Sequence, residues 1–484
     1  MFSLKKLSSL YQSGQAAPLT AKKKSSLLPW ELYQRVFPKS PYSFFFDSLR
    51  FAPPAQRYSY LGWQPYLRAS YQDKKFILEG ERNQVIENPN LTAELRKIFK
   101  DIKIPSGWAP DFFTGGGIGY LGYELANEFE PISFRPKKGP ATPDLGFLFF
   151  HDLMAFDHKE DQYILISWLI PKKGVSFREA YARAQKKLQE MKEVLKVDSK
   201  SSNGHFRFLR FRPEISKSNF ETMVKKTKRY IEAGDIYQAN LSQRFSFDFD
   251  GSPLRLYGRL RETNPSPFSA AFRWNDLFIA SSSPELLVSK KGRLCVTCPI
   301  AGTRPRGRNQ RESQKLAREL LSNEKERAEH LMLVDLERND LGRVSEWRSV
   351  RVKDFMRLEP YARVQHIVSE ITSRLRPAED AWDLIRAMFP GGTITGCPKI
   401  RSMQIIDELE PVRRGIYTGS LGYVGFDGNL MMNIAIRTLV LLGKKGYFQV
   451  GAGIVADSDP EREYEETLAK GEALAEALVE ASFS

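Results

Sequence analysis

Paired carboxylates at helical spacing are the first residues of this chain that could do chemistry. Glu326 and Glu329 stand three apart within 323–344, and Glu463 and Glu466 repeat the spacing within 460–480, with Lys470 four residues beyond Glu466. Residues three or four apart on a helix share a face. Asn323 reads as an N-cap, Glu324 and Glu326 fall in the first turn where the helix dipole favours negative charge, and Gly342 reads as a terminator. The centre of this helix, Leu331-Met332-Leu333-Val334, is apolar on every face, so it is expected to run deep in the protein. Its charged and polar side chains, Glu326, Glu329, His330, Asp335, Arg338, Asn339 and Asp340, would then need pairing or a metal. Such pairs are also common on ordinary surface helices. Two helices that each carry one suggest a hard cation between them, and Mg²⁺ takes a few carboxylates, retained waters and a ligand oxygen.

Two stretches could hold an anion. Gly451-Ala452-Gly453-Ile454-Val455-Ala456-Asp457-Ser458 ends a strand and runs into the last helix, where free backbone N–H groups point outward. Residues 389–399 bring Gly391, Gly392, Thr393, Thr395 and Gly396 to the start of another helix; their spacing is not that of a nucleotide loop, which favours a carboxylate over a phosphate. Arg437 interrupts an apolar run and could clamp a carboxylate bidentately, or serve only a structural ion pair. Glu285, in Ser282-Ser283-Pro284-Glu285 beside buried strands, is a candidate general acid with a raised pKa, although such a residue is often a plain turn glutamate. The glycines of 115–123 lack a Gly-Lys-Ser/Thr ending, so they read as a strand with a backbone packed close against it.

The elements that must position these residues follow from periodicity. Strands are expected at 42–46, 58–61, 75–79, 145–154, 162–168, 239–249, 268–273, 277–280, 286–289, 350–357, 364–373, 419–425, 431–442 and 447–454. Helices are expected at 177–194, 216–232, 254–263, 382–388, 399–409 and 460–480, besides the one after Asn323. Residues 1–28, polar and basic, read as a flexible leading segment, and 197–206 as a polar linker. Strands that neighbour one another in sequence argue for antiparallel sheets covered by helices.

Composition narrows the partners. The 484 residues with 42% hydrophobic content suffice for a large core. No apolar run of membrane-spanning length and no secretory signal pattern is present, and three cysteines fit a reducing, cytoplasmic setting. Cys295 and Cys298 lack a second pair for zinc and read as core thiols. The net charge of +15 could attract nucleic acid, but no RNA-reading or helix-turn-helix pattern accompanies it, so a solubilising basic surface is the expectation.

From about 214 to 479 the chain resembles the chorismate-binding enzyme family. The matching segments are 283–285 (Ser-Pro-Glu), 299–304 (Pro-Ile-Ala-Gly-Thr-Arg), 326–330 (Glu-Arg-Ala-Glu-His), 335–343, 391–399, 451–455 and 463–467. Residues 29–197 look like the family's more variable N-terminal region, and 214–480 like its catalytic region. The resemblance implies an α+β fold, a four-layer α/β/β/α sandwich of two mostly antiparallel sheets flanked by helices, shared by both regions. It implies Mg²⁺ on Glu329 and Glu466 with Glu326 and Glu463 nearby. Chorismate carboxylates would meet that ion, Arg437, Thr393, Gly396, Tyr417 and the backbone of Gly451 and Gly453, with Lys470 on the metal-side carboxylate. Glu285 would protonate the departing 4-hydroxyl, and Gln238, Ala301, Thr303 and His366 would line the catalytic end.

Isochorismate and salicylate synthases of the family carry a water-activating lysine where this chain has Gln238. A glutamine cannot be that base, so ammonia is the expected nucleophile. No nucleophile-elbow cysteine is present, so a separate glutamine amidotransferase subunit is expected to supply it. Ala301, where some C4-aminating members carry lysine, points to amination at C2, the anthranilate branch. Segments 393–396 and 417–423 point to C4, the aminodeoxychorismate branch of p-aminobenzoate and folate synthesis, and this is the favoured expectation. Phe45-Phe46-Asp47-Ser48 departs from the Leu-Leu-Glu-Ser of tryptophan-inhibited members while 264–268 keeps the other half of that pocket, so tryptophan is a possible ligand there. A basic binding protein that keeps the fold without catalysis is the distant alternative; the intact carboxylate set argues against it.

Overall fold

The computed structural model describes residues 2–48, 57–108, 110–196, 204–208, 211–360 and 364–483. Its organisation is visible in one strand. Successive side chains of Tyr42–Asp47 leave opposite faces. Phe44 enters an apolar layer with Ile118, Phe150, Ile166 and Phe272, whereas Phe45 enters a second layer with Leu32, Leu61 and Tyr257. Burial is worth roughly 1.5–3 kcal/mol for each such ring, so both faces of this strand must be covered. The same holds for Leu145–Phe150, all six residues of which are buried.

Two large sheets result. The first has 13 strands among the described residues, in the order Ala17–Lys23, Gln162–Leu169, Asp152–Asp157, Tyr58–Trp63, Tyr42–Asp47, Phe268–Trp274, Leu277–Ser283, Thr438–Leu442, Lys445–Ile454, Gln238–Gly251 and Phe206–Phe208, with Arg212–Pro213 and Gly396–Cys397 also paired to Gln238–Gly251. The second has 12 and runs from Ile300–Pro305 through Val364–Arg374, Leu294–Cys298, Leu286–Lys291, Leu430–Asn433, Ser420–Gly425, Gly116–Leu121, Leu145–Phe150 and Leu67–Gln72 to Lys75–Gly80 and Gln84–Glu87, with Arg351–Pro360 also paired to Val364–Arg374. Both sheets are antiparallel, and each draws strands from both halves of the chain. One apolar layer lies between the sheets. Helices Pro29–Val36, Phe177–Val194, Pro253–Thr263 and Pro460–Phe483 cover the outer face of the first sheet. Leu91–Lys100, Glu324–Gly342 and Ala381–Met388 cover that of the second. This is the four-layer α+β sandwich that the resemblance implies. Among the described residues no helix is long and apolar enough to cross a membrane.

The glycine strand 116–121 behaves as expected. A Cβ on Gly119 would stand 2.0 Å from the Gly146 carbonyl oxygen, so only glycine lets the neighbouring strand approach. Several expectations need correction. The segment expected to be loose at 1–28 holds regular structure where it is described: Leu4–Gln12 is a helix burying Leu7, Leu10 and Tyr11, and Ala17–Lys23 pairs along Gln162–Leu169. Their apolar residues are few but fall on one face. Of the expected linker at 197–206, residues 197–203 lie outside the described set, and Phe206 already belongs to a strand. The strand expected at 145–154 breaks at His151, whose ring stacks on Tyr66.

The strand expected at 431–442 also divides. Leu430–Asn433 belongs to the second sheet and Thr438–Leu442 to the first, so residues 434–437 cross between the layers. Arg437 therefore sits outside any strand, with φ +49°, and is half-buried. The chain makes a parallel crossing at residues 284–285, between Leu277–Ser283 and Leu286–Lys291. The two crossings are tied together: the Ile434 N–H donates to the Glu285 carbonyl at 3.0 Å, and Ser283 Oγ donates to the Ile434 carbonyl at 2.5 Å.

Candidate active site

The double crossing positions Glu285. The residue is 4% exposed, and burial raises its pKa to about 7 against the charge of Arg437 and the weak hydrogen bond from the Ile300 N–H at 3.4 Å. Thr393 Oγ1 faces this carboxyl closely enough to favour its ionised form but makes no hydrogen bond of ordinary geometry. Thr393 lies in the 3₁₀ turn Gly392–Ile394, which packs on the central helix: a Cβ on Gly392 would stand 2.5 Å from Leu336 Cδ2. Gly396, at φ +143°, brings the following segment against the Gln238 carbonyl, only 2.1 Å from where its Cβ would be.

The carboxylate end is built on the two long helices. Asn323 Oδ1 caps Glu324–Gly342 by accepting from the Glu326 N–H at 3.0 Å. Gln238 Nε2 donates to Glu329 Oε1 at 3.1 Å, and a Cβ on Gly453 would stand 2.5 Å from that amide nitrogen and 3.7 Å from Glu329 Oε1. Burial raises the Glu329 pKa, the Gln238 amide lowers it, and the charges of Glu326 and Glu466 raise it again. Burial and the Glu466 charge likewise raise Glu463 against the Ser458 hydrogen bond. Two helices thus face each other with four carboxylates. Arg304 holds Glu326 at 2.9 Å, and Lys470 holds Glu466 at 2.7 Å while donating to the Gly451 carbonyl at 3.0 Å. Among the described residues no three or more such side chains close into a ready-made metal cage. The donor set nevertheless fits Mg²⁺: oxygen ligands only, mutually repelling, with two cationic side chains now supplying the compensating charge.

His366 joins the two ends. Its Nδ1 lies 3.2 Å from the Gly302 carbonyl, which can only accept, and 2.9 Å from Thr303 Oγ1, so Nδ1 carries the proton and Nε2 is the ring's acceptor. Burial, reinforced by Arg437, lowers its pKa to about 4, which keeps the imidazole neutral. Arg437 lies near enough to favour the ionised Glu285 and the neutral His366. Gly302, at φ +63°, passes Glu326 so closely that a Cβ would be 2.8 Å from Oε2. Ala301 is buried opposite Ile367 and offers only a methyl group.

Tyr417 closes the remaining side. Its hydroxyl lies 2.8 Å from where a Cβ on Gly451 would stand, beside Asn240 Oδ1 at 2.4 Å, so glycine is required there. Contacts thus run from Glu285 through Arg437, His366 and Thr303 toward Glu326, and from Glu329 through Gln238 to Gly453, with Gly451, Tyr417, Lys470 and Glu466 beside them. Sequence reasoning missed Arg414 and Glu410, a buried pair at 2.7 Å beside Tyr417. Arg414 donates to the carbonyls of Ile394 at 2.9 Å and Asn240 at 2.5 Å and stacks near Tyr417. Their i, i+4 spacing across Pro411 was the available signal. The central helix is also less enclosed than expected. Leu331 is 54% exposed, and the buried face runs through His330, Leu333, Val334, Glu337, Asp340 and Leu341. Glu337 lies on that face by spacing alone, four beyond Leu333, and went unmarked.

Residues 46–476 match the family model described as chorismate binding enzyme. The chain is 42% identical over 430 residues to aminodeoxychorismate synthase component 1 of Bacillus subtilis (strain 168), covering 87% of this chain and 89% of that one. It is 39% identical over 466 residues to anthranilate synthase component 1 of Acetivibrio thermocellus, covering 94% and 93%. Among solved structures, anthranilate synthase component I from Streptococcus pneumoniae TIGR4 superposes with a TM-score of 0.76 at 36% identity, covering 88% of this chain and 93% of that one. The family model spans most of the chain, and relatives well above 30% identity cover it nearly end to end, so the chain belongs to the chorismate-binding enzyme family.

Proposed function

We propose that this chain is the chorismate-aminating component of an aminodeoxychorismate synthase. It would exchange the C4 hydroxyl of chorismate for an amino group, releasing water, with ammonia from a glutamine amidotransferase subunit. The observation that carries the amination is Gln238. Its amide donates to Glu329, and a neutral amide cannot deprotonate an attacking water, whereas ammonia attacks without a base. The component 1 designation of the relatives supports a partner. The 42% identity to an aminodeoxychorismate synthase component and the segments 393–396 and 417–423 support C4 over C2.

Glu285 would hold the proton that departs with the hydroxyl, because a carboxyl with a pKa of about 7 is still substantially protonated at neutral pH. Arg437, Thr393, Tyr417, Gly396 and the Gly451 and Gly453 backbone would bind the two substrate carboxylates, and neutral His366 would accept a hydrogen bond without adding charge. Glu329 and Glu466, with Glu326 and Glu463 behind them, would hold Mg²⁺, which when bound neutralises a substrate carboxylate and eases charge development at the ring. Lys470 would turn from Glu466 to that carboxylate. At the expected tryptophan pocket, Asp47 is buried and paired with Arg261 at 2.6 Å, and Trp30 packs on Phe45 and Tyr257.

The test is a product assay with chorismate, Mg²⁺ and ammonium. p-Aminobenzoate that forms only after aminodeoxychorismate lyase is added supports the proposal. Anthranilate fluorescence without the lyase would move the chain to C2 amination.

A further inference from the structure

Thr297 Oγ1 makes two short contacts, 2.8 Å to the Leu287 carbonyl oxygen and 2.9 Å to Glu337 Oε2. A hydroxyl has one proton to give, and a carbonyl and an ionised carboxylate can each only accept. Both contacts are satisfied together when Glu337 carries a proton and donates it to Thr297, which in turn donates to Leu287. The surroundings favour the neutral acid. Glu337 is 2% exposed, and burial followed by the Asp340 charge raises its pKa to about 8. The titratable groups around it are Asp340 on the same helix, Lys399 at the start of Lys399–Leu409, Glu285 at the crossing and Cys298 on Leu294–Cys298. Lys399 is engaged by Asp340 at 2.5 Å.

Glu337 also underlies the turn that bears Thr393. Its Oε1 is 3.6 Å from where a Cβ on Gly392 would stand, beside Leu336. The residue thus joins three elements: the central helix, the Leu294–Cys298 strand and the Gly392–Ile394 turn. We propose that Glu337 is a positioning residue which, as a neutral acid bonded to Thr297, fixes the central helix beneath the Gly392–Ile394 turn and so holds Thr393 in place for the substrate carboxylate. This rests on the reading of Thr393 as a substrate contact.

The test compares E337Q, which keeps a donor but cannot ionise, with E337L, which has none, through KM and kcat for chorismate across about pH 6 to 9. Melting temperature reports folding, and the infrared band of a neutral carboxylic acid, recorded in the E285Q background, reports the proton itself. The expected result is a wild-type KM that rises above about pH 8, an E337Q KM that is unchanged near neutrality and no longer rises, and loss of the neutral-acid band on adding E337Q to E285Q. E337L should raise KM about tenfold near neutrality with little change in kcat, the effect of one lost buried hydrogen bond. If E337L does not fold, the E337Q pH profile and the band still decide. An unaltered band would overturn the neutral acid, and an E337Q profile that keeps the alkaline rise would overturn the positioning role. Failure of the functional reading itself would appear separately, as wild-type protein that makes no aminated product while the band is present.

Discussion

Glu329 and Glu285 are the same side chain at two ends of one chain of contacts, and their surroundings give them opposite tasks. Glu329 sits half-buried on a helix, bonded by the Gln238 amide and repelled by Glu326 and Glu466, with Arg304 and Lys470 as cations on its neighbours. Glu285 sits at a crossing between two sheets, 4% exposed, with Arg437 near enough to favour its ionised form but not enough to offset burial. One end gathers negative charge that a divalent ion can neutralise. The other end keeps a carboxyl dry enough to retain a proton near neutral pH. The difference comes from topology: a helix rim leaves carboxylates within reach of water, while a strand that changes sheets carries its turn into the interior.

The sharpest way to break the comparison is Glu285→Gln. Loss of a general acid should lower kcat by about 10²- to 10⁴-fold, measured as ammonia-dependent amination. The pH profile distinguishes this from a packing defect. Wild-type kcat should fall as pH rises through about 7, where Glu285 loses its proton, and the residual rate of the variant should show no such fall. A variant with wild-type kcat would remove Glu285 from the proton-transfer role.

Glu329→Gln should act on the other end with a smaller, rescuable effect. The Mg²⁺ concentration for half-maximal activity should rise by about 10- to 100-fold or more, since even outer-shell partners of a metal change affinity by that much. Added Mg²⁺ should restore rate in this variant and leave Glu285→Gln unimproved. If neither variant responds to Mg²⁺, the four carboxylates are a structural cluster and the two ends do not differ as argued.

Much of this site was legible because its chemistry is local in sequence. The i, i+3 glutamates, the Asn323 cap and the glycine-flanked strand end before Pro460–Phe483 each declare themselves within one turn or strand. What was illegible depends on layers. Residues 431–442 read as one apolar strand because both pieces are buried, and nothing local says that the first lies in one sheet and the second in the other. That misreading placed Arg437 in a strand instead of at the crossing. Glu337 was missed for the opposite reason: its spacing placed it on the buried face, but a glutamate surrounded by Arg338, Asn339 and Asp340 looks like part of a solvated run.

The smallest expected effect concerns stability. Glu285 and Glu337 keep protons in the folded protein up to about 7 and about 8, whereas the unfolded chain releases them near 4.5. The folded state therefore binds more protons at these two sites in this window, so their contribution to stability is full below about 4.5 and is lost as pH rises through 7 and 8. Replacing either acid with glutamine removes its share of the decline, and melting temperatures recorded from about pH 5 to 8 should fall less steeply in E285Q and E337Q, by about one or two degrees in a chain of this size. Glu329→Gln should flatten the curve less than either, because a half-exposed carboxylate bonded by an amide gives up its proton more nearly as the unfolded chain does. Equal flattening by all three would mean that the carboxylate end is as dry as the acid end, and that the contrast between a helix rim and a sheet crossing does not set their protonation.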